Sequence, residues 1–234
     1  MALKIETYFL TRNRCYQQAI IGEKRGLQVH SIGTPQGNAK AVADYWNQPS
    51  VSECVHYIVD CKTEGKVLYT LPEAYRSWAD AGYGNRHLIT FEICETDAMR
   101  YIDGAKYEVL DEKKFREDIL RGYRGAVELC TKICRERGWD PMKKLDSGLY
   151  LISSHDEGRI AGESSGHIDP THVWSRLGLS MDGFRREVKT ALELGEDPEK
   201  MYLVQAGAFS QRSNAEELVK RLHEAGFEAF IKRR

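Results

Sequence analysis

The chain has 234 residues, and its 34 Lys and Arg nearly balance its 35 Asp and Glu, for a formal charge of −1. That balance argues against nucleic acid or an anionic membrane as partner, and no run of about 18 apolar residues offers a membrane span. The length suits one main domain with a small appendage, since ~100–200 residues is the usual domain size.

Charged residues occupy the first positions, where a signal peptide would have its apolar stretch, so the expectation is synthesis in the cytoplasm without a secretory leader. Six cysteines (Cys15, Cys54, Cys61, Cys94, Cys130, Cys134) show no C-x-x-C pair and no disulfide framework. Most are expected to be reduced and buried as small hydrophobes.

Along the chain, Gly26-Leu27-Gln28-Val29-His30-Ser31 reads as a strand and residues 38–46 as a helix. Residues 55–60 and 66–71 read as two strands joined around Glu64-Gly65, and residues 87–95 as another. Within that last strand side chains alternate, so Glu92 faces away from Phe91 and Ile93, and Glu95 falls on the face opposite Glu92. Residues 113–137 carry apolar side chains at Phe115, Ile119, Tyr123, Val127, Cys130 and Cys134, the spacing of an amphipathic helix, ended by Gly138. A strand over 148–153 then runs into Ser154-His155. The Gly- and Ser-rich residues 156–166 read as a mobile loop before His167-Ile168-Asp169-Pro170, and Ser180 caps a last helix.

Strands alternating with helices predict an α/β fold with a central mixed sheet flanked by helices. Residues 191–200, polar with Gly and Pro, read as a linker between a domain over 1–190 and a small unit over 201–234. That unit has a β-α-β pattern, with strands over 202–209 and 227–231 around a helix over 213–225 closed by Gly226.

Two histidines that each close a strand-like run, His30 and His155, stand at strand ends where one nearby carboxylate can join them on a metal. Two His and one Asp make a zinc-type ligand set that leaves a position open for water, which points to hydrolysis.

Several ordered segments then carry a resemblance: residues 9–16, the strand ending in His30-Ser31, Val55-His56-Tyr57-Ile58-Val59-Asp60, residues 85–95, Ser154-His155 and His167-Ile168-Asp169-Pro170. Together they resemble the zinc N-acetylmuramoyl-L-alanine amidases, the family that also contains peptidoglycan recognition proteins and many phage endolysins. The resemblance covers about residues 1–190. It implies Zn2+ held by His30, His155 and Asp169, and Glu92 as the carboxylate that takes and returns a proton. It implies His167, where many relatives carry lysine or threonine, as donor to the oxyanion, a fourth metal ligand being the rival role. Trp78 is implied as a substrate contact along the groove, with a core position as the alternative, and His172, close after Asp169, reads as a substrate-contacting groove residue or a polar group at a helix start. His56 matches a structural position, and Val55 stands where some relatives carry a catalytic tyrosine, which leaves proton transfer to Glu92. His87 and His223 read as surface residues.

Residues 202–210, Asn214-Ala215-Glu216 and Ala225-Gly226-Phe227 resemble the SPOR repeat that binds glycan strands of peptidoglycan. One β-α-β unit is present where that family's domain holds two, and about 35 residues are too few to bury a core alone. The implied function is hydrolysis of the amide between N-acetylmuramic acid and L-alanine by an endolysin or autolysin, which reaches the wall after holin action or cell lysis. A zinc peptidase that cuts the stem peptide, and a non-catalytic peptidoglycan-binding protein, are the alternatives.

Overall fold

The computed structural model describes residues 3–20, 22–195, 205–225, 227 and 229–231. In chain order it holds β1 (Lys4–Thr7), α1 (Arg14–Gln17), β2 (Gly26–Ser31), α2 (Ala39–Trp46), β3 (Tyr57–Val59), β4 (Lys66–Tyr69), α3 (Tyr83–His87) and β5 (Leu88–Ile93). There follow β6 (Met99–Asp103), β7 (Lys106–Val109), α4 (Glu112–Arg137), β8 (Ile152–Ser154), α5 (His155–Ala161), α6 (Thr171–Trp174), α7 (Met181–Leu194) and α8 (Arg212–Glu224). Two compact units result, Met1–Gly195 and Glu196–Arg234.

Six strands form one mixed sheet in the order β1-β4-β3-β5-β2-β8, parallel at every junction except β3–β4. The expected α/β architecture is therefore present. Strand alternation sorts the side chains of this sheet into two unlike faces. Leu27, Val29, Ile89, Phe91 and Ile93 pack on one face against Phe115, Tyr123 and Ala126 of α4 and Phe184 of α7. Helix α4 lies so close to the sheet that a Cβ at Gly122 would come within 2.8 Å of Ile93, so glycine in mid-helix is a requirement of packing here. On the other face α2 covers only the β3–β4 side, where Val42, Ala43 and Trp46 meet Ile58 and Leu68. The remaining strip carries Gln28 and His30 of β2, Thr90 and Glu92 of β5 and Ser153 of β8, all buried and polar. His30 and Glu92 are register partners on adjacent parallel strands.

Several expectations are corrected. Residues 156–161 are helical: Ser154 and Glu157 form a reciprocal capping box that starts α5 at His155, and Gly162 closes it in the left-handed region. The strand expected over 148–153 is confined to β8, because Tyr150 turns aside to bridge Lys144. The β6–β7 hairpin was not expected, although Asp103-Gly104 between apolar residues is a hairpin signal. Cys15 and Cys54 form a disulfide across 39 residues of sequence. Spacing gives no sign of it, since α1 reaches residues 51–54 only through tertiary contacts such as the Asn13 amide donating to the carbonyls of Val51 and Glu53. The other four cysteines are free and buried.

In the second unit, residues 201–204, 226, 228 and 232–234 lie outside the described residues, and so do 196–200 of the expected linker, whose residues 191–194 continue α7. The described parts of the two expected strands, 205–209, 227 and 229–231, form no strand. Helix α8 is present and buries no residue, as expected of a piece too small for a core of its own.

His56 is a buried structural residue. Its Nε2 donates to the Tyr75 carbonyl at 2.9 Å, and its Nδ1 accepts from the Thr90 backbone N–H at 3.0 Å. Burial, aided by the Lys24 charge, lowers its pKa from 6.5 to about 3, so the folded protein holds it neutral. A depressed histidine pKa contributes stability that is complete above the unfolded value and is lost as pH falls toward the folded one. His56→Gln is therefore expected to flatten the loss of stability between pH 6.5 and about 3, read from urea midpoints across that range. An unchanged acid limb would assign that loss to other groups.

Candidate metal centre

Three elements deliver three ligand atoms to one point at the C-terminal ends of the parallel strands. Strand β2 brings His30, the β8–α5 junction brings His155, and the segment before α6 brings Asp169. The Nδ1 atoms of His30 and His155 lie 3.1 Å apart. Asp169 reaches His30 Nδ1 at 3.3 Å through Oδ2 and His155 Nδ1 at 3.1 Å through Oδ1. All three residues are largely buried, and no other His, Cys, Asp or Glu group among the described residues converges in this way.

The donor set fits zinc. Ligands about 2.0 Å from a tetrahedral ion stand roughly 3.3 Å from one another, which matches the three separations. Two neutral imidazoles and one carboxylate fill three of four positions, which is the arrangement of a hydrolytic site.

Each ligand is held by the local fold. His155 is the first residue of α5, whose capping Glu157 receives both terminal nitrogens of the buried Arg185 at 2.9 Å. Arg185 also donates to the Ile152 carbonyl in β8, so α7 fixes the strand-to-helix junction that aims His155. The Nε2 of His155 lies 2.9 Å from Ser165 Oγ, the kind of outer hydrogen bond that sets a ligand's tautomer. The backbone N–H of Ser31 donates to Asp169 Oδ2 at 3.2 Å. For Asp169, burial alone would raise the pKa, but hydrogen bonds from His155 and His30 outweigh it and hold the carboxyl well below the usual range.

Glu92 stands beside this cluster, buried, with Oε2 lacking any protein partner. Burial, then the charges of Asp169 and Glu95, raise its pKa well above the ordinary carboxylate value. The environments thus set two carboxyls apart: hydrogen bonds lower the pKa of Asp169, and burial raises that of Glu92. His167 is exposed, with its ring centroid 5.1 Å from that of His155.

The two expected substrate contacts lie outside the ligand cluster. Trp78 is 44% exposed and carries the Arg76 guanidinium 5.1 Å from its ring centre. With Arg14, Ile20 and Arg76 it lines a cavity of about 210 Å³ that includes none of the three ligands. His172 is not on an open groove wall: its side chain is 8% exposed, because Tyr101 stacks against it and bonds its Nε2 at 2.7 Å.

Strand parity predicts Glu95 on the face opposite Glu92, yet β5 ends at Ile93 and alternation does not extend to it. Its buried carboxylate accepts from Ser31 Oγ at 2.6 Å and from the Tyr101 hydroxyl at 2.8 Å. Burial raises its pKa to about 7 against the lowering effect of those hydrogen bonds.

A family profile described as N-acetylmuramoyl-L-alanine amidase matches residues 22–172, and one described as SPOR domain matches residues 198–234. The fold is similar to that of the Staphylococcus aureus hydrolase AmiA in complex with its ligand, at 18% identity over 81% of this chain and 83% of that one, with a TM-score of 0.61. It is similar to PlyL at 16% identity over 81% and 98% of the two chains, with a TM-score of 0.55. A mutant endolysin from Bacillus subtilis is similar at 17% identity over 80% and 99%, with a TM-score of 0.53. No curated protein sequence matches the chain.

His155→Ala is expected to abolish stoichiometric metal binding, measured by elemental analysis after dialysis, and a variant that keeps its full metal content would refute the ligand set. Arg185→Met is expected to lower unfolding stability by roughly 3 kcal/mol, because Glu157 loses its charged partner. A loss below about 1 kcal/mol in urea unfolding would show that this pair does not anchor α5.

Proposed function

The chain belongs to the N-acetylmuramoyl-L-alanine amidase family and has that activity on peptidoglycan, and from this premise we propose how its own residues carry out the hydrolysis. His30, His155 and Asp169 hold Zn2+, and the observation that carries this reading is the 3.1–3.3 Å spacing of their ligand atoms. When bound, zinc supplies Lewis acidity, which makes water a stronger acid near neutral pH and polarises the amide carbonyl.

Glu92 accepts the proton of the attacking water and passes it to the departing amine nitrogen, so that one carboxylate serves as base and then as acid. Its position supports this role, because it faces His30 across the β2–β5 register and has an oxygen without a protein partner. His167 donates a hydrogen bond to the oxyanion that forms at the amide carbon. Its exposure leaves the imidazole free to meet that oxygen once substrate is bound. Trp78, exposed and lining its own cavity with Arg76, offers an aromatic face for the sugar or stem peptide outside the ligand cluster.

Residues 1–190 act as the catalytic domain and 191–200 as a linker. Residues 201–234 act as a SPOR-type peptidoglycan-binding part that contacts glycan strands and raises the local concentration of the catalytic domain on the wall. The protein works on the cell wall as an endolysin or autolysin. No helix among the described residues is long and apolar enough to cross a membrane.

Digestion of purified peptidoglycan, with and without a chelator and followed by mass spectrometry, tests the whole reading. Free stem peptides beginning with L-alanine are expected, lost on chelation and restored by zinc. Intact sugar–peptide junctions with cut stem peptides would replace it with a zinc peptidase. In the same assay Glu92→Gln is expected to keep its zinc while its rate falls about 10²–10⁴-fold, and a variant of normal rate would remove Glu92 from the mechanism.

A further inference from the structure

The hydrogen bonds around Glu95, together with the backbone of the 168–172 turn, form a circuit that touches the proposed metal ligands at two places. Ser31 follows His30 directly, and it meets both carboxylates: its Oγ donates to Glu95 Oε1 at 2.6 Å, and its backbone N–H donates to Asp169 Oδ2 at 3.2 Å. Across the cluster, the Tyr101 hydroxyl donates to Glu95 Oε2 at 2.8 Å and lies 2.7 Å from His172 Nε2. A hydroxyl has one hydrogen, and here Glu95 receives it, so His172 Nε2 must be the donor to the Tyr101 oxygen. His172 in turn closes the turn around Asp169, its backbone N–H donating to the Ile168 carbonyl at 3.2 Å. The Tyr107 hydroxyl reaches the His172 carbonyl at 3.4 Å. The circuit runs from His30 and Ser31 through Glu95, Tyr101 and His172 to Asp169, and returns to Ser31.

We propose that Glu95, Tyr101 and His172 are positioning residues that lock the end of β2 and the Asp169 turn together, so that the ligand atoms converge before the metal arrives. The inference rests on the zinc-site reading above and adds the β6–β7 hairpin to it as a structural support. Two observations carry it. The side chains of Glu95 and His172 are only 1% and 8% exposed. Both Glu95 oxygens are used, each by a different arm of the circuit. A buried carboxylate is costly where an apolar side chain would pack as well, so its place here is explained by the hydrogen bonds it fixes. Groups that orient ligands in this way typically change metal affinity about 10–100-fold when removed.

Zinc dissociation constants of the full chain, measured by competition with a chromogenic chelator, test the proposal alongside melting temperatures of the metal-free proteins. Tyr101→Phe removes one oxygen and keeps the ring stack, and it is expected to weaken zinc binding about 10–100-fold with little change in metal-free melting temperature. Glu95→Gln and His172→Leu are expected to weaken it likewise. His172→Gln, which keeps a donor toward Tyr101, is expected to recover most of the affinity. An unchanged dissociation constant in Tyr101→Phe would overturn the proposal, and so would a lowered metal-free melting temperature with unchanged affinity, which is the mark of a purely structural anchor. Should Glu95→Gln fail to fold, Tyr101→Phe and the His172 pair decide the matter. A wild-type protein that holds no zinc would overturn the metal-site reading, and this network's role with it.

Discussion

Two imidazole nitrogens and a carboxylate held about 3 Å apart, away from bulk water, are the constraint that the catalytic unit is built around. Such a cluster opposes folding, since polar groups lose hydration and gain few partners. The sheet accommodates it by strict division of labour between its faces. One face is apolar throughout the β2–β5 pair and packs against α4 and α7, so it supplies the burial that holds the strands. The opposite face is then free to carry His30, Glu92, Gln28, Thr90 and Ser153. A shift of one residue in the pairing of β2 would exchange the two sets, which ties the register firmly to the apolar side.

The cluster also shows why parallel strand ends suit this chemistry. Strands β2, β5 and β8 all finish at the same edge, so His30, Glu92 and His155 arrive there from three separate stretches of sequence. The supports differ in kind. His155 is aimed by a helix cap and a buried guanidinium, whereas Asp169 is held by a backbone N–H and a turn backed by the β6–β7 hairpin. Glu92 has no comparable support, since its Oε2 is buried without a protein partner.

The second unit follows another logic. Helix α8 is amphipathic and buries nothing, and Phe209, Phe227 and Phe230 are exposed. Residues 198–234 match the SPOR domain profile, so this unit's part in the protein is read from that likeness and not from a core of its own.

Much of this was legible in the amino-acid order. Period-two alternation through Phe91, Glu92 and Ile93 determined the face of Glu92, and the three-and-four spacing from Phe115 to Cys134 determined α4, because both patterns are local consequences of backbone geometry. The ordered motifs around His30, His155 and Asp169 determined the family and singled out three residues that the fold brings together. What only the tertiary structure decided were pairings between distant residues: the Cys15–Cys54 disulfide, the reach of Arg185 to Glu157, the burial of His172 under Tyr101, and the return of Glu95 to the site beyond the end of β5. Sequence periodicity encodes which face a residue takes within its own element. It carries nothing about which elements meet, since that depends on how the sheet and helices pack across the whole chain.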